Sequence, residues 1–267
     1  MKVEILSLEG KKSGDIDLPT QFDEELRIDL IKKAVLVIQA RNRQPYGASE
    51  RAGKDYSAKL SRRRRKYKTP YGRGVSRIPR KTTWRRGTQF GWEGALAPGT
   101  TGGRKAHPPK ADKIWDRKIN IKERKKAIRS AIASTINKDL VKKRGHLFDA
   151  VPLILENKLE GLSKTKEILN VMNKVGLDKE LERVKIKKIR AGKGKNRGRK
   201  YKTKVGPLIV VSENCKLEKS AINIQGVDII KVSNLNAEVL SPGTDPGRLV
   251  VWTEKSIEKL GKENLFV

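Results

Sequence analysis

Two glycine-containing segments are the first candidates for chemistry, because glycine lets a backbone approach a phosphate group closely. Residues 99–105 read GTTGGRK, so glycines are followed by cations. The segment lacks the Gly-x-x-x-x-Gly-Lys-Ser/Thr spacing of a nucleotide-binding loop, and no apolar strand precedes it. Gly192 and Gly194 lie in a Lys/Arg run that lacks the third glycine of a dinucleotide fingerprint. Both segments are better interpreted as flexible backbone that can pack against a sugar–phosphate chain.

Nucleophilic and metal-binding residue types are too sparse to form a recognisable active site. His107, His146 and the single cysteine, Cys215, are widely separated and lack the spacing of metal ligands. Cys215 lies near the start of a predicted helix, where a thiol pKa can be lowered. A small, half-buried packing residue is the more common role for such a cysteine. We therefore predict no catalytic residue, no metal and no cofactor, and a protein that is not an enzyme.

The chemistry that remains is the attraction of a polyanion. The chain has 62 Lys and Arg against 30 Asp and Glu, which gives a formal net charge of +32. Residues 41–110, here called the basic loop, contain 20 basic and 3 acidic residues. Residues 183–204, here called the basic insertion, contain 12 basic residues and no acidic one. Charge this high repels itself unless a polyanion neutralises it, and nucleic acid is the natural candidate.

The basic loop is predicted to become ordered only on nucleic acid. Its four Val, Ile, Leu or Met residues cannot offset a backbone ordering cost of roughly 1–2 kcal/mol per residue. It nevertheless contains seven of the thirteen aromatic residues, and its 13 Arg outnumber its 7 Lys. Arg62 to Lys66 place cations on all sides of an extended chain. Tyr67, Tyr71 and Trp84 can stack on unpaired bases, worth roughly 1–3 kcal/mol each.

The rest of the chain is predicted to form one α/β domain that holds the basic loop. Alternating residues over 3–18 predict a β-hairpin. Apolar periodicity predicts helices over 23–42, with a capping box at 20–23, and over 120–144, ended by Gly145. Because the basic loop leaves the first helix and returns before the second, its two ends should lie close together.

Four apolar runs predict the strands of a buried, mostly parallel sheet with βαβ connections. The residues after these runs lack the glycines that would let a backbone approach a pyrophosphate. Their Ser, Thr and Asn are better interpreted as helix caps. The predicted fold class is therefore α/β, with a mostly parallel four-stranded sheet and a long extended internal basic loop. The runs are residues 151–155, 207–211, 227–232 and 248–252.

Three other classes of protein share a basic arm. An RNA-modifying enzyme requires a cofactor loop after a strand, which the sequence lacks. A chromatin-type DNA-binding protein would bind duplex DNA with an affinity comparable to its affinity for RNA. A binder of anionic membranes is disfavoured because the basic loop has no amphipathic helix, and no window approaches the roughly 18 apolar residues of a membrane span. We favour a structural RNA-binding protein that neutralises phosphates and stacks on bases.

The residues predicted to bind RNA are cations and aromatics of the two basic segments. They are Arg41, Arg43, Arg51, Lys54, Arg62, Arg63, Arg64, Arg65, Lys66, Tyr67, Lys68, Tyr71, Arg73, Arg77, Arg80, Lys81, Trp84, Arg85, Arg86, Arg104, Lys105, Lys193, Lys195, Arg197, Arg199, Lys200 and Lys202.

The most specific motifs of the chain are residues 68–77 (KTPYGRGVSR), 102–109 (GGRKAHPP) and 120–133 (NIKERKKAIRSAIA). These three segments resemble a known family, the universal large-subunit ribosomal protein number four (ribosomal protein L four) in its archaeal form. The resemblance covers essentially the whole chain. The basic insertion departs from the bacterial pattern, and the sequence lacks the long basic C-terminal tail of eukaryotic members. Both departures point to the archaeal form.

The resemblance implies a three-layer α/β/α globule, residues 1–40 and 111–267, from which the basic loop penetrates the rRNA of the large subunit. It implies a cytoplasmic ribosomal location, which the single cysteine fits. Implied partners are large-subunit rRNA, other large-subunit proteins (the number twenty-two family among them) and, transiently, the nascent peptide. Neither a membrane nor a homo-oligomer is expected. The implied tip at the peptide exit tunnel consists of Arg65, Lys66, Tyr67, Lys68, Tyr71, Gly72, Arg73 and Arg77.

Overall fold

A computed structural model describes residues 1–267, which divide into two compact units. The body comprises residues 1–42 and 116–267, and the loop unit comprises residues 43–115. The strands are β1 (Lys2–Leu6), β2 (Lys12–Asp17), β3 (Arg80–Arg86), β4 (Gln89–Gly94), β5 (Leu153–Leu155), β6 (Lys188–Ile189), β7 (Tyr201–Lys202), β8 (Leu208–Val211), β9 (Asp228–Lys231) and β10 (Val250–Thr253). The helices are α1 (Ile28–Arg41), α2 (Ile121–Ser134), α3 (Lys138–Lys143), α4 (Thr165–Lys174), α5 (Asp178–Lys185), α6 (Lys216–Ala221), α7 (Ala237–Leu240) and α8 (Glu254–Lys262).

The central sheet of the body has the order β2-β1-β5-β10-β8-β9. The four predicted strands form its contiguous parallel part, β5-β10-β8-β9. The sheet has six strands rather than four, because the N-terminal hairpin joins it through a parallel pairing of Ile5 with Ile154. The mostly parallel α/β class predicted from the sequence is confirmed.

Helices cover both faces of this sheet, which explains why its strands read as continuous apolar runs. On β8, Val210 lies in the same core as residues of α1, α2, α7 and α8. Its neighbours Ile209 and Val211 lie in a second core with residues of α4, α5 and α6. Successive side chains of a strand point to opposite faces, so the body has the three layers α/β/α that the family resemblance implies.

Two predicted helices differ from the observed ones at their ends. The first begins at Ile28 rather than at residue 23, because residues 20–22 form a 3-10 turn and no side chain caps it. The ring of Phe22 is buried there, 5.2 Å between centroids from Trp252 in an edge-to-face contact. The capping box predicted at 20–23 is therefore wrong.

The second predicted helix, 120–144, is divided into α2 and α3. Ser134 and Thr135 each donate a side-chain hydrogen bond to a carbonyl three residues earlier, at 2.7 Å. The Asn137 side chain then accepts hydrogen bonds from the N–H groups of Asp139 and Leu140, at 3.0 and 3.3 Å, and starts α3 as an N-cap. Gly145, with φ of +88°, follows the end of α3 as predicted.

The loop unit contains a β-hairpin that the sequence analysis did not predict. Strands β3 and β4 pair antiparallel through a turn at Gly87. The hairpin has almost no aliphatic residues, and its side-chain packing comes from rings. Phe90 makes edge-to-face contacts with Trp92 and Tyr67, at centroid distances of 5.3 and 5.0 Å. Such pairs are worth about 0.5–1.5 kcal/mol each beyond the area they bury.

The two ends of the loop unit meet, as the sequence predicts for the basic loop. The guanidinium of Arg43 lies 3.7 Å from the centroid of the Trp115 ring, and Tyr46 stacks on the same ring at 6.0 Å. The N–H of Ala48 also donates to the carbonyl of Pro109, at 3.1 Å. These contacts fix residues that are more than sixty positions apart in the chain.

Candidate nucleic-acid interface

The side chains predicted to bind RNA lie at the surface. None is buried, and all are exposed except Lys68, Tyr71, Arg80 and Lys81, which are half-buried. Only Arg41 has a carboxylate partner: its Nε donates to Asp116 at 2.9 Å. The remaining cations have no acidic side chain within 4.0 Å in the structure, so their charge is available to an external anion.

The ion pairs of the protein are confined to the body. Every ion pair of the protein joins residues of the body. Even the three carboxylates of the basic loop, Glu50, Asp55 and Glu93, make no ion pair with its cations. A unit that is stabilised by its own contacts would be expected to form some ion pairs among its charged side chains. The loop unit forms none, so its cations are available to bind a polyanion.

Cations of the loop unit lie over aromatic faces. The Arg73 guanidinium is 5.2 Å from the centroid of Phe90, and the Lys68 ammonium is 5.4 Å from the same ring. Arg80 is 5.4 Å from the centroid of Trp92. Cation–π contacts of this kind hold the charged groups in position without neutralising them. They therefore preserve the charge that phosphates would meet.

The segment that carries the predicted tip residues has an unusual backbone. Arg65 and Lys68 adopt φ of +57° and +63°, a region that non-glycine residues rarely occupy, and Gly72 follows with +74°. Tyr71 lies between two guanidiniums, with Arg77 at 5.0 Å and Arg64 at 5.7 Å from its ring centroid. Residues 65–77 thus fold into a series of tight turns rather than a straight extended run.

Trp84 and Tyr67 differ in how much of each ring is free to stack. Trp84 is 55% exposed, although one part of its indole packs over the backbone of Gly91 on the facing strand. Tyr67 is 48% exposed, but its ring already contacts the edge of Phe90. Trp84 is therefore the better-presented aromatic platform of the hairpin.

The basic insertion forms a second, smaller hairpin. Its first residues complete α5, and β6 and β7 then pair around a 3-10 turn at Lys193–Arg197. Arg190 holds the hairpin together by donating hydrogen bonds to the carbonyls of Arg199 and Tyr201, at 3.1 and 3.3 Å. Gly192 and Gly198 adopt φ near +80° at the ends of the turn. These glycines provide the positive φ angles that the turn requires, and the cations between them are exposed to solvent.

The crevice where a parallel sheet would bind a nucleotide is occupied by a carboxylate. Glu160 lies at the carboxyl ends of β8 and β10. Its side chain accepts hydrogen bonds from the N–H and hydroxyl of Ser212, at 2.9 and 2.8 Å, and from the hydroxyl of Thr253, at 2.7 Å. A carboxylate at this position repels phosphate groups and uses the donors that a cofactor would need.

Comparison with known proteins identifies the family. The ribosomal protein L4/L1 family model matches residues 16–263. Large ribosomal subunit protein uL4 of Nanoarchaeum equitans is 51% identical over 100% of both chains. The proteins of the same description from Archaeoglobus fulgidus and Methanococcoides burtonii are 42% and 46% identical, each over 98% of this chain. The chain belongs to the ribosomal protein L4/L1 family.

Membership of the L4/L1 family confirms the archaeal-type resemblance and the prediction that the chain is not an enzyme, since this family is a structural, non-enzymatic component of the ribosome. No group of His, Cys, Asp and Glu in the structure is arranged to hold a metal ion. No helix is both long and apolar enough to cross a membrane. Burial raises the pKa of the Cys215 thiol, so the lowering that its place at a helix start suggested does not occur.

A buried charge network in this L4/L1-family chain was missed by the sequence analysis. Glu180 is fully buried and accepts hydrogen bonds from Nε and Nη2 of Arg183, at 2.7 and 2.6 Å, and from the N–H of Leu147, at 3.0 Å. Its Oε1 also lies 2.7 Å from Nδ1 of His146. Glu180 and His146 are 34 positions apart, and no spacing rule connects them.

Proposed function

We propose that this chain is a structural constituent of the cytoplasmic large ribosomal subunit that binds large-subunit rRNA through the loop unit and the basic insertion. The observation that carries the proposal is the segregation of charge: ion pairs lie in the body, whereas the cations of the loop unit have no acidic partner. Lys and Arg displace counterions from closely packed phosphates, which favours binding without any chemical step. Exposed rings such as Trp84 add stacking on unpaired bases.

We further propose that residues 65–77 form the tip that helps line the peptide exit tunnel, next to the ribosomal protein number twenty-two family and the nascent peptide. The tight turns at Arg65, Lys68 and Gly72 support a compact tip. Its cations are also free of acidic partners, which suits a place among phosphates from more than one RNA segment.

Sedimentation of cell extract through a salt series tests the proposed function. The protein is expected to travel with the large subunit and to stay bound at salt concentrations that strip loosely held basic proteins. Release at low salt, or sedimentation with DNA, would refute the ribosomal role and favour a chromatin-type binder.

Limited proteolysis of the full chain provides a second test. Free protein should be cut within residues 41–110 and 183–204, because these segments have few buried apolar contacts. Protein in the large subunit should resist cutting at both. Equal cutting in the free and bound states would show that neither segment contacts the rRNA.

A further inference from the structure

A cavity of about 770 Å³ in the body lies where the end of α3, the basic insertion and residues 245–246 come together. Its size falls within the range of about 300–1,000 Å³ typical of small-ligand sites. Apolar side chains form part of its wall, and two of them, Ile28 and Ile186, are half exposed to solvent, at 51% and 55%.

The rest of the wall is strongly cationic. Lys143, Lys188, Lys202 and Lys204 line the cavity, and none of them has an acidic side chain within 4.0 Å. Arg144 also lines it and donates hydrogen bonds to the backbone carbonyls of two residues, 242 and 245. The single acidic side chain of the lining is Asp245. This balance favours an anionic occupant over a neutral or basic one.

A residue that lines this cavity has a buried polar atom without a partner. His146 lines the cavity and is only 4% exposed, and its Nε2 makes no hydrogen bond. Nδ1 of the imidazole lies 2.7 Å from Oε1 of the ionised Glu180, which can only accept a hydrogen bond, and 3.3 Å from Nη2 of Arg183, which can only donate one. The much shorter contact with Glu180 assigns the hydrogen to Nδ1. Nε2 is therefore a bare acceptor. An acceptor left unsatisfied in a buried position destabilises the protein, and a ligand with an N–H or O–H group would remove that cost.

Burial and the nearby guanidiniums keep this imidazole neutral. Burial lowers the pKa of His146 below its ordinary value, and the positive charges of Arg183 and Arg144 act in the same direction, against the opposing effect of Glu180. The acceptor character of Nε2 thus persists at neutral pH.

We propose that this cavity binds one unstacked nucleotide of RNA. The ribose and base lie against Ile28 and Ile186, a base N–H or the 2′-hydroxyl donates to Nε2 of His146, and the phosphates meet the lysines of β6 and β7. This inference rests on the proposed function and adds to it a defined pocket outside the loop unit. A nucleotide is favoured because it combines the three features that the cavity complements: an apolar ring face, a hydrogen-bond donor and an adjacent anion.

Nitrogen NMR of the two histidines tests the proposal on the full chain. Protein labelled with ¹⁵N-histidine gives resonances for His107 and His146 alone, and His107→Gln assigns them. The probe is the single-stranded pentauridylate, with penta-glutamate as the acidic-peptide comparison. Pentauridylate is expected to shift the Nε2 resonance of His146 towards that of a hydrogen-bonded acceptor, with saturation.

A matched pair of variants localises the effect. The double variant Lys188→Gln/Lys202→Gln should raise the pentauridylate concentration needed to shift His146 by about 5-fold or more, since it removes charge-assisted contacts at the cavity. Lys166→Gln/Lys219→Gln removes the same charge from two exposed body positions outside the cavity lining and outside the two basic segments. It should change that concentration by less than about 2-fold if the contacts are local.

Three outcomes overturn the inference. If fluorescence anisotropy shows pentauridylate binding while His146 does not respond, RNA binds elsewhere and only this inference fails. If penta-glutamate alone moves the His146 resonance, the cavity belongs to an acidic protein segment. If neither pentauridylate nor large-subunit rRNA binds the protein at all, the proposed function fails with it.

Discussion

The indole of Trp84 occupies the space that a side chain on Gly91 would need. A Cβ built on Gly91 would lie 2.1 Å from Nε1 of Trp84, and the two residues are partners across the β3–β4 pairing. The exposed part of Trp84 is thus oriented by the absence of a side chain on the neighbouring strand. The φ of Gly91 is not positive, so its backbone conformation does not require glycine. Glycine is needed there because Trp84 approaches so closely.

Replacement of Gly91 by valine is expected to displace Trp84 and weaken RNA binding. The loss should be about 5- to 150-fold in affinity if one base stacks on the indole, since such stacking is worth roughly 1–3 kcal/mol. Filter binding to a large-subunit rRNA fragment measures it. Trp84→Ala should give a loss of the same size, and the double variant little more than either single one.

Gly161→Ala serves as the control for this prediction, because nothing lies within 4 Å of a Cβ at that position and its φ is ordinary. It should leave RNA affinity unchanged. If Gly91→Val binds RNA as tightly as the original protein, Trp84 has no stacking role.

Glu180 is expected to stabilise the body in a pH-dependent way. Burial would raise the pKa of Glu180, but hydrogen bonds from Arg183, His146 and the Leu147 N–H together lower it to about 2. A folded pKa below the unfolded value near 4.5 gives stability that is present above pH 4.5 and lost as the pH falls towards 2. The advantage of the original protein over Glu180→Gln should therefore be constant from pH 7 to about 5 and shrink below it.

Urea unfolding at each pH measures this difference. Near neutral pH it should be about 2–4 kcal/mol, because the variant leaves the half-buried Arg183 without its charged partner. Glu182→Gln, an exposed acid of the same helix with no ion pair, should have an effect within about 0.5 kcal/mol at every pH. A difference between Glu180→Gln and the original protein that grows on acidification would contradict the assigned charge state.

Glu160 is expected to act as a structural bridge at the edge of the sheet. The variant Glu160→Ala leaves the N–H of Ser212 without its acceptor, and it leaves the hydroxyl of Thr253 with only the longer bond to the carbonyl of Val210, at 3.3 Å. Since both groups are buried, unfolding free energy should fall by about 2–4 kcal/mol, as measured in urea. Glu25→Ala, at an exposed and unpaired acid of the body, should change it little. An unchanged stability in Glu160→Ala would mean that water replaces the carboxylate in this crevice.

The sequence predicted the body better than the surfaces that matter for binding. The strands of the sheet were recognisable because residues such as Ile209 and Val210 must both be buried, on opposite faces. The loop-unit hairpin was missed because its packing comes from rings and from a missing side chain at Gly91, which hydrophobic periodicity does not detect. The run of cations was evident, but their lack of acidic partners depends on the fold.

The cavity beside His146 illustrates the same limit. Its acceptor atom has meaning only once Glu180, distant in sequence, is known to hold the other ring nitrogen. A lone histidine after a helix end predicts nothing of this kind, since most such histidines are simply solvated. His146 becomes a candidate contact for a nucleotide only when its three-dimensional surroundings are known.

The run Arg62 to Arg65 is expected to account for a measurable part of the salt dependence of RNA binding. All four side chains are exposed and have no acidic partner. Each phosphate contact contributes about 0.7 to the slope of log affinity against log salt for single-stranded RNA, so replacing all four by Gln should reduce the slope by up to about 3. The matched control replaces four exposed body lysines, Lys2, Lys11, Lys166 and Lys219, by Gln. The control removes the same net charge, so an equal reduction of the slope would show that overall charge, rather than the loop unit, drives binding. A reduction confined to the Arg62–Arg65 variant would place the phosphate contacts on the loop unit.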